Sequence, residues 1–177
     1  MEIRLARSDD AEAIRTIYNH EVRTSTATFD IVERSVAAQQ AWMADRSGAF
    51  SVLVAVDNES AGPESENPDT GDGVVAGFAS LSPFRERAAY RSTVENSIYV
   101  ADGYRGRGVA DQLLGDLLEV ARTSGFHSVI ARIGGGNEAS TTLHAKHGFA
   151  EVGVERQVGR KFNRWVDVTV MQVVFDD

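Results

Sequence analysis

Cysteine is absent from this 177-residue chain, lysine occurs only at Lys146 and Lys161, and there are three prolines. Without thiols there can be no disulfide, no thiolate metal site and no cysteine nucleophile, so any chemistry falls to oxygen and nitrogen groups. No metal is implied. No apolar run approaches the roughly 20 residues that a membrane-spanning helix needs. Nor does the start, Met1-Glu2-Ile3-Arg4, carry the basic and then apolar segments of an export signal, so the chain reads as soluble and cytoplasmic. Excess positive charge is also missing. With 18 basic and 26 acidic residues the net charge is −8, which argues against a nucleic-acid role, since neutralising phosphates takes a surplus of Lys and Arg on one face. Any anion bound here is bound locally. Arginine supplies nearly all the positive charge, a bias that a GC-rich genome and a high-salt cytoplasm would both produce.

What is present suits one substantial core. The chain is 42% hydrophobic and its length fits a single domain over residues 1–177. Residues 2–7 alternate like a strand, and Asp9 with Glu12 three positions later resembles a capping box opening a helix, whose apolar face is Ala13, Ile14, Ile17, Tyr18 and Val22. A second helix is predicted over 35–45 and a buried strand over 50–56. Residues 57–73 are rich in Glu, Asp, Asn, Ser, Gly and Pro and cannot feed a core, which predicts a flexible acidic loop extending a hairpin. Strands follow at 74–82 and 92–100, a helix at 108–123, a strand at 128–133, a helix at 137–147, and strands at 149–157 and 167–175. Leu113, Leu114, Leu117, Leu118 and Ala121 form a stripe that faces a sheet. This order implies an α/β (α+β) fold, a mixed sheet with helices on both faces.

The run Arg105-Gly106-Arg107-Gly108-Val109-Ala110 joins a strand to a helix start. The first helical N–H groups have no partner within the helix, and the macrodipole adds positive charge there, so a pyrophosphate is the natural ligand. The P-loop pattern fails because Val109 and Ala110 stand where Lys and Ser or Thr are needed, and the three-glycine dinucleotide fingerprint is also absent. The spacing Arg-x-x-Gly-x-Ala (Arg105, Gly108, Ala110) resembles the Gln/Arg-x-x-Gly-x-Gly/Ala signature of the GNAT superfamily of acyl-CoA N-acyltransferases. Three further segments resemble its phosphinothricin and methionine-sulfone N-acetyltransferase subfamily. They are Ile17-Tyr18-Asn19-His20, Thr93 through Val100 (TVENSIYV), and Val158 through Asp167 (VGRKFNRWVD). Two features depart from that pattern: the acidic loop is longer, and Phe84 stands where relatives often carry tryptophan.

The resemblance implies a GNAT fold, a mostly antiparallel sheet of about seven strands with a splayed central pair. It implies acetyl-CoA as co-substrate, its diphosphate on the amides of Arg105, Gly106, Arg107, Gly108, Val109 and Ala110. Its pantetheine arm would pair with the backbone of Ile98, Tyr99 and Val100 and bond Asn137, which is also a plausible helix N-cap in its own right. Glu95 would be the general base. His144 would donate a proton to the thiolate or bind substrate, against the alternative of a histidine packed between helix and sheet. For the substrate, Phe29, Phe84, Arg85, Arg91 and Val94 are the candidates, with Arg85 suited to a carboxylate through paired hydrogen bonds and Arg87 close enough to share the task.

The demand on a base is modest. An α-amine of pKa about 8 is roughly one-tenth neutral at pH 7, a penalty near 1.4 kcal/mol, whereas a lysine side chain near 10.4 faces about 5. The sequence therefore reads as an enzyme moving acetyl directly from acetyl-CoA to the amine of a small amino acid or analogue, with a homodimer implied by the resemblance. The rivals are the same fold acting on a protein N-terminus or lysine, a non-catalytic acyl-CoA-binding sensor, and a nucleotide-binding regulatory domain. Glu95 and His144 speak against the sensor, and the missing Walker lysine against the nucleotide domain.

Overall fold

A computed structural model describes residues 1–60 and 73–175. Most of the acidic loop expected over 57–73 lies outside the described residues. The strands are β1 (Glu2–Leu5), β2 (Leu53–Asp57), β3 (Val74–Pro83), β4 (Thr93–Val100), β5 (Ser128–Gly134), β6 (Ala150–Lys161) and β7 (Arg164–Val174). The helices are α1 (Ala11–Thr24), α2 (Val36–Ala44), α3 (Val109–Thr123) and α4 (Glu138–Lys146). One seven-stranded sheet runs in the order β1-β2-β3-β4-β5-β7-β6. Its neighbours are antiparallel except β4 and β5. That pair is joined through α3, and a parallel pair needs such a crossover.

Alternation along the strands sends apolar side chains to two cores. On one face, Val54, Val56 and Phe78 of the sheet meet Ile14, Ile17, Tyr18 and Val22 of α1, with Trp42 of α2 against them. On the other, Leu113, Leu114, Leu117 and Ala121 of α3 pack on Leu81, Val94, Val129 and Phe149. The stripe read from the sequence is therefore core. Ser35 caps α2 by accepting the Ala38 N–H at 3.1 Å.

Two local expectations are corrected. The chain makes a 3-10 turn at Ser8–Asp10 before α1, so that Asp10 rather than Glu12 is the acidic residue that reaches back to a backbone N–H. The Asp10 carboxylate accepts the Arg7 N–H at 2.6 Å and a two-pronged pair of bonds from Arg4 at 2.7 and 2.9 Å. Glu12 instead holds Arg15. At the other end, β6 and β7 run past their expected limits of 157 and 167 into a tight hairpin. Phe162 and Asn163 make its turn with φ of 52° and 58°, and register shifts interrupt the pair between Glu151 and Gly153 and between Glu155 and Gly159. Bulges break the alternation that a strand reading depends on.

Burial alone would push the Asp10 carboxyl up, but the Arg4 guanidinium and the Arg7 N–H outweigh it and hold it below the usual carboxylate range. A carboxylate with a lowered folded pKa stabilises above its unfolded pKa of about 3.9 and loses that contribution as pH falls. We expect Asp10→Asn to destabilise by about 1–3 kcal/mol at pH 7. Denaturation curves of the two proteins should converge as pH is taken below about 4.

Candidate functional site

The parallel pairing of β4 with β5 covers Thr93–Glu95 against Ser128–Ile130 and then stops. Asn96 to Val100 remain paired with β3 on their other side, and among the described residues they have no strand partner towards β5. The two strands diverge into a wedge. A cavity of about 900 Å³ occupies this wedge, lined by the open stretch of β4, by Ala131 to Gly134 of β5 and by residues 25–29 after α1.

One end of the cavity is the turn before α3. Gly106 and Gly108 adopt φ of 74° and 80°, and a Cβ on either would meet nothing within 4 Å. Backbone conformation, not packing, therefore requires glycine there. Gly108 is the N-cap of α3, so the unpaired N–H groups of the first helical turn face the same space. The Arg105 guanidinium bonds the buried Glu21 and, at 2.9 Å, Asp102, while its Nε reaches the Val100 carbonyl at 3.4 Å. His20 meets the other side of Asp102 at 2.8 Å. Arg105 thus clamps the turn to β4 and α1. Arg107 lies over the Tyr104 ring at 5.3 Å. Asn137 caps α4 by accepting the Ser140 N–H at 3.1 Å, and it also lines the cavity.

Along the wedge, Ile98 and Val100 pack towards the α3 core. Tyr99 turns the other way, 5.2 Å from the rings of both Tyr18 and Phe78. These contacts fix the strand and leave its backbone to the cavity. Glu95 lies where the parallel pairing ends. Burial pushes its carboxyl up, Arg132 pulls it back and Glu155 adds to the rise.

His144 is buried on α4 and points at β4. Its Nδ1 lies 2.8 Å from the Ser140 carbonyl oxygen, which can only accept, so Nδ1 carries the proton. Nε2 is then an acceptor and receives an N–H of Asn96 at 2.9 Å. Burial holds the ring below the ordinary histidine range; the Ser140 carbonyl opposes this and His147 adds to it. Asn96 Oδ1 is buried without a partner among the described residues and belongs to a residue lining the cavity. An orphaned buried acceptor costs about 1–3 kcal/mol, so a ligand N–H or thiol entering the wedge would find a seat there.

The substrate candidates divide. Phe29 lines the cavity, its ring seated over Gly159 and Gly134: a Cβ on Gly159 would come within 2.1 Å of the ring and one on Gly134 within 3.0 Å. Val94 is fully buried in the α3 core and does not line the cavity. Phe84 packs on Tyr90 at 5.6 Å, with the Arg85 guanidinium 4.8 Å from the Phe84 ring. Neither they nor the exposed Arg91 line the cavity. Sequence reasoning missed Asn96, Arg132 and Glu21. Alternation from Ile98 could have placed Asn96 on the α4 face; the ion pairs of Arg132 and Glu21 cross between distant segments and leave no local signal.

Because the unfolded chain protonates near pH 6.5 and the buried ring resists it, the contribution of neutral His144 to stability falls as pH drops below about 6.5. We expect His144→Gln to be less stable by about 1–3 kcal/mol at pH 7. Urea midpoints of variant and parent should draw together between pH 7 and 5.

Residues 14–149 match the family described as the acetyltransferase (GNAT) family. The L-methionine sulfoximine/L-methionine sulfone acetyltransferase of Pseudomonas aeruginosa is 39% identical over 175 residues, which is 98% of this chain and 94% of that protein. The phosphinothricin N-acetyltransferase of Streptomyces coelicolor is 34% identical over 170 residues, 95% of this chain and 92% of its own. Among solved structures, an acetyltransferase from Salmonella typhimurium with its cofactor acetyl-CoA superposes with a TM-score of 0.89. It is 36% identical and covers 100% of this chain and 95% of that one.

Proposed function

This chain belongs to the GNAT acetyltransferase family, and from that premise we propose that it moves acetyl from acetyl-CoA to the amine of a small amino acid or analogue. Methionine sulfone, methionine sulfoximine and phosphinothricin, the substrates in the names of its relatives, define the type. The observation that carries the reading is the parallel pair that separates after three residues beside a glycine turn at a helix N-terminus. That arrangement fits acetyl-CoA. The turn amides of 105–110 suit its diphosphate, and the open backbone of Ile98, Tyr99 and Val100 suits the amide-bearing pantetheine arm. Asn137 and Asn96 supply polar atoms along the way.

With no thiol to carry an acyl group, transfer is direct within a ternary complex. The neutral amine attacks the thioester carbon, a β4 N–H steadies the oxyanion, and the coenzyme sulfur departs with the bonding pair. Glu95 removes the amine proton, directly or through one water, and its raised pKa suits it to that work. Both ring nitrogens of His144 are engaged, so we assign it the task of holding Asn96 and β4 against α4. The thiolate then takes its proton from solvent.

We take residues 1–177 as one catalytic domain working in the cytoplasm as a homodimer. Val152, Val158, Phe162 and Trp165 on the β6–β7 hairpin, each about half exposed or more, support pairing of two copies.

Acetyl-CoA-dependent thiol release across a panel of amino acids, amines and peptides tests the substrate class, with free amino acids and analogues expected to react. Turnover confined to peptides would overturn it. We expect Glu95→Gln to lower kcat by about 10²–10⁴-fold with acetyl-CoA affinity nearly unchanged. Because the base must be ionised, parental activity should fall as pH drops through a value above the ordinary glutamate pKa near 4.3, and this limb should vanish in the variant. A loss of coenzyme binding equal to the loss of rate would remove Glu95 from this role.

A further inference from the structure

An α-amino acid presents its amine and its carboxylate on the same carbon, so whatever holds the carboxylate must sit beside the base that serves the amine. Arg85 and Arg91, the arginines expected to do this, do not line the cavity. Two arginines do line it among the described residues, Arg105 and Arg132, and the buried histidine there is neutral. Arg105 is committed to Glu21 and Asp102 at the turn end. At the Glu95 end, Arg132 is the cation.

Sheet register puts it in the right place. Glu95 pairs with Ile130 across the parallel strands, so the two side chains share a face, and Arg132, two residues further along β5, shares it too. Its charge is already felt by Glu95, whose carboxyl it pulls down against burial. On its far side Arg132 bonds Glu155 at 2.5 and 3.3 Å, and its side chain is about one-third exposed. Glu155 uses two of the five guanidinium N–H groups, which leaves donors for a second carboxylate. The order along this face is therefore negative, positive, negative, from Glu95 through Arg132 to Glu155. An amino acid zwitterion complements the first two of these, with its ammonium to Glu95 and its carboxylate to Arg132.

We propose that Arg132 is the residue that selects acceptors bearing a carboxylate next to the amine, through the guanidinium donors that Glu155 leaves unused. The proposal rests on the acetyltransferase reading above and names the determinant of its substrate class. A simple amine, or the N-terminus of a peptide, lacks the group that Arg132 would bind.

The test compares L-methionine sulfone with its carboxamide, in which the negative charge alone is lost. For the parent we expect a lower KM for the acid than for the amide. Arg132→Gln should raise KM for the acid by about 10–100-fold, the range of a charge-assisted hydrogen bond, while KM for the amide and for acetyl-CoA stays within about twofold. Glu155→Gln keeps the guanidinium and should leave KM for the acid unchanged or lower. Equal losses on acid and amide, or the same loss in both variants, would make the pair a structural brace and overturn the proposal. So would a parent that accepts acid and amide alike. A parent that releases no thiol with any amine would instead bring down the reading on which the proposal stands.

Discussion

The early end of the β4–β5 pairing governs this molecule. A sheet is stable because each backbone N–H and C=O finds a partner, and here, among the described residues, the central strand has a neighbouring strand on one side only from Asn96 to Val100. The deficit is tolerated because strong packing lies on both faces of the same strand. Ile98 and Val100 are gripped by the α3 core, and Tyr99 is held between Tyr18 and Phe78. The fold thereby keeps open a row of hydrogen-bonding groups that a ligand with amides of its own can complete, which is the way an added strand binds a sheet edge.

Electrostatics then divides the wedge into two ends. Near the turn, positive character comes from backbone N–H groups and a helix start, while the Arg105 side chain is absorbed by Glu21 and Asp102. At the far end the charges belong to side chains, Glu95 and Arg132, with Glu155 behind them. Between the two ends the buried His144 and Asn96 bind each other in a single fixed arrangement of protons. Such a site can receive a polyanion at one end and run amine chemistry at the other within a chain whose net charge is −8.

Much of this was readable in the residue order. The stripe from Leu113 to Ala121, the Asn137 cap and the glycine turn announce themselves because helix periodicity, capping and turn chemistry are local. The splay of β4 from β5 came with the resemblance to a family and left no mark in the composition of either strand. What escaped depended on register. Val94, a substrate candidate by resemblance, is buried in the α3 core before the strands separate. Asn96 and Arg132 gained their importance from partners 48 and 23 residues away. The β6–β7 hairpin ran longer than expected because its bulges hide the alternation.

Phe29 rests its ring on two glycines drawn from different strands, Gly134 of β5 and Gly159 of β6. Those strands are neighbours only through β7, so a single aromatic ring spans three strands and pins the segment after α1 against them. The wall opposite β4 is therefore a socket joint whose depth is set by two missing methyl groups. Drift at Gly159 would be transmitted through the Phe29 ring into the width of the chamber, which couples the shape available to an incoming molecule to a position outside its lining.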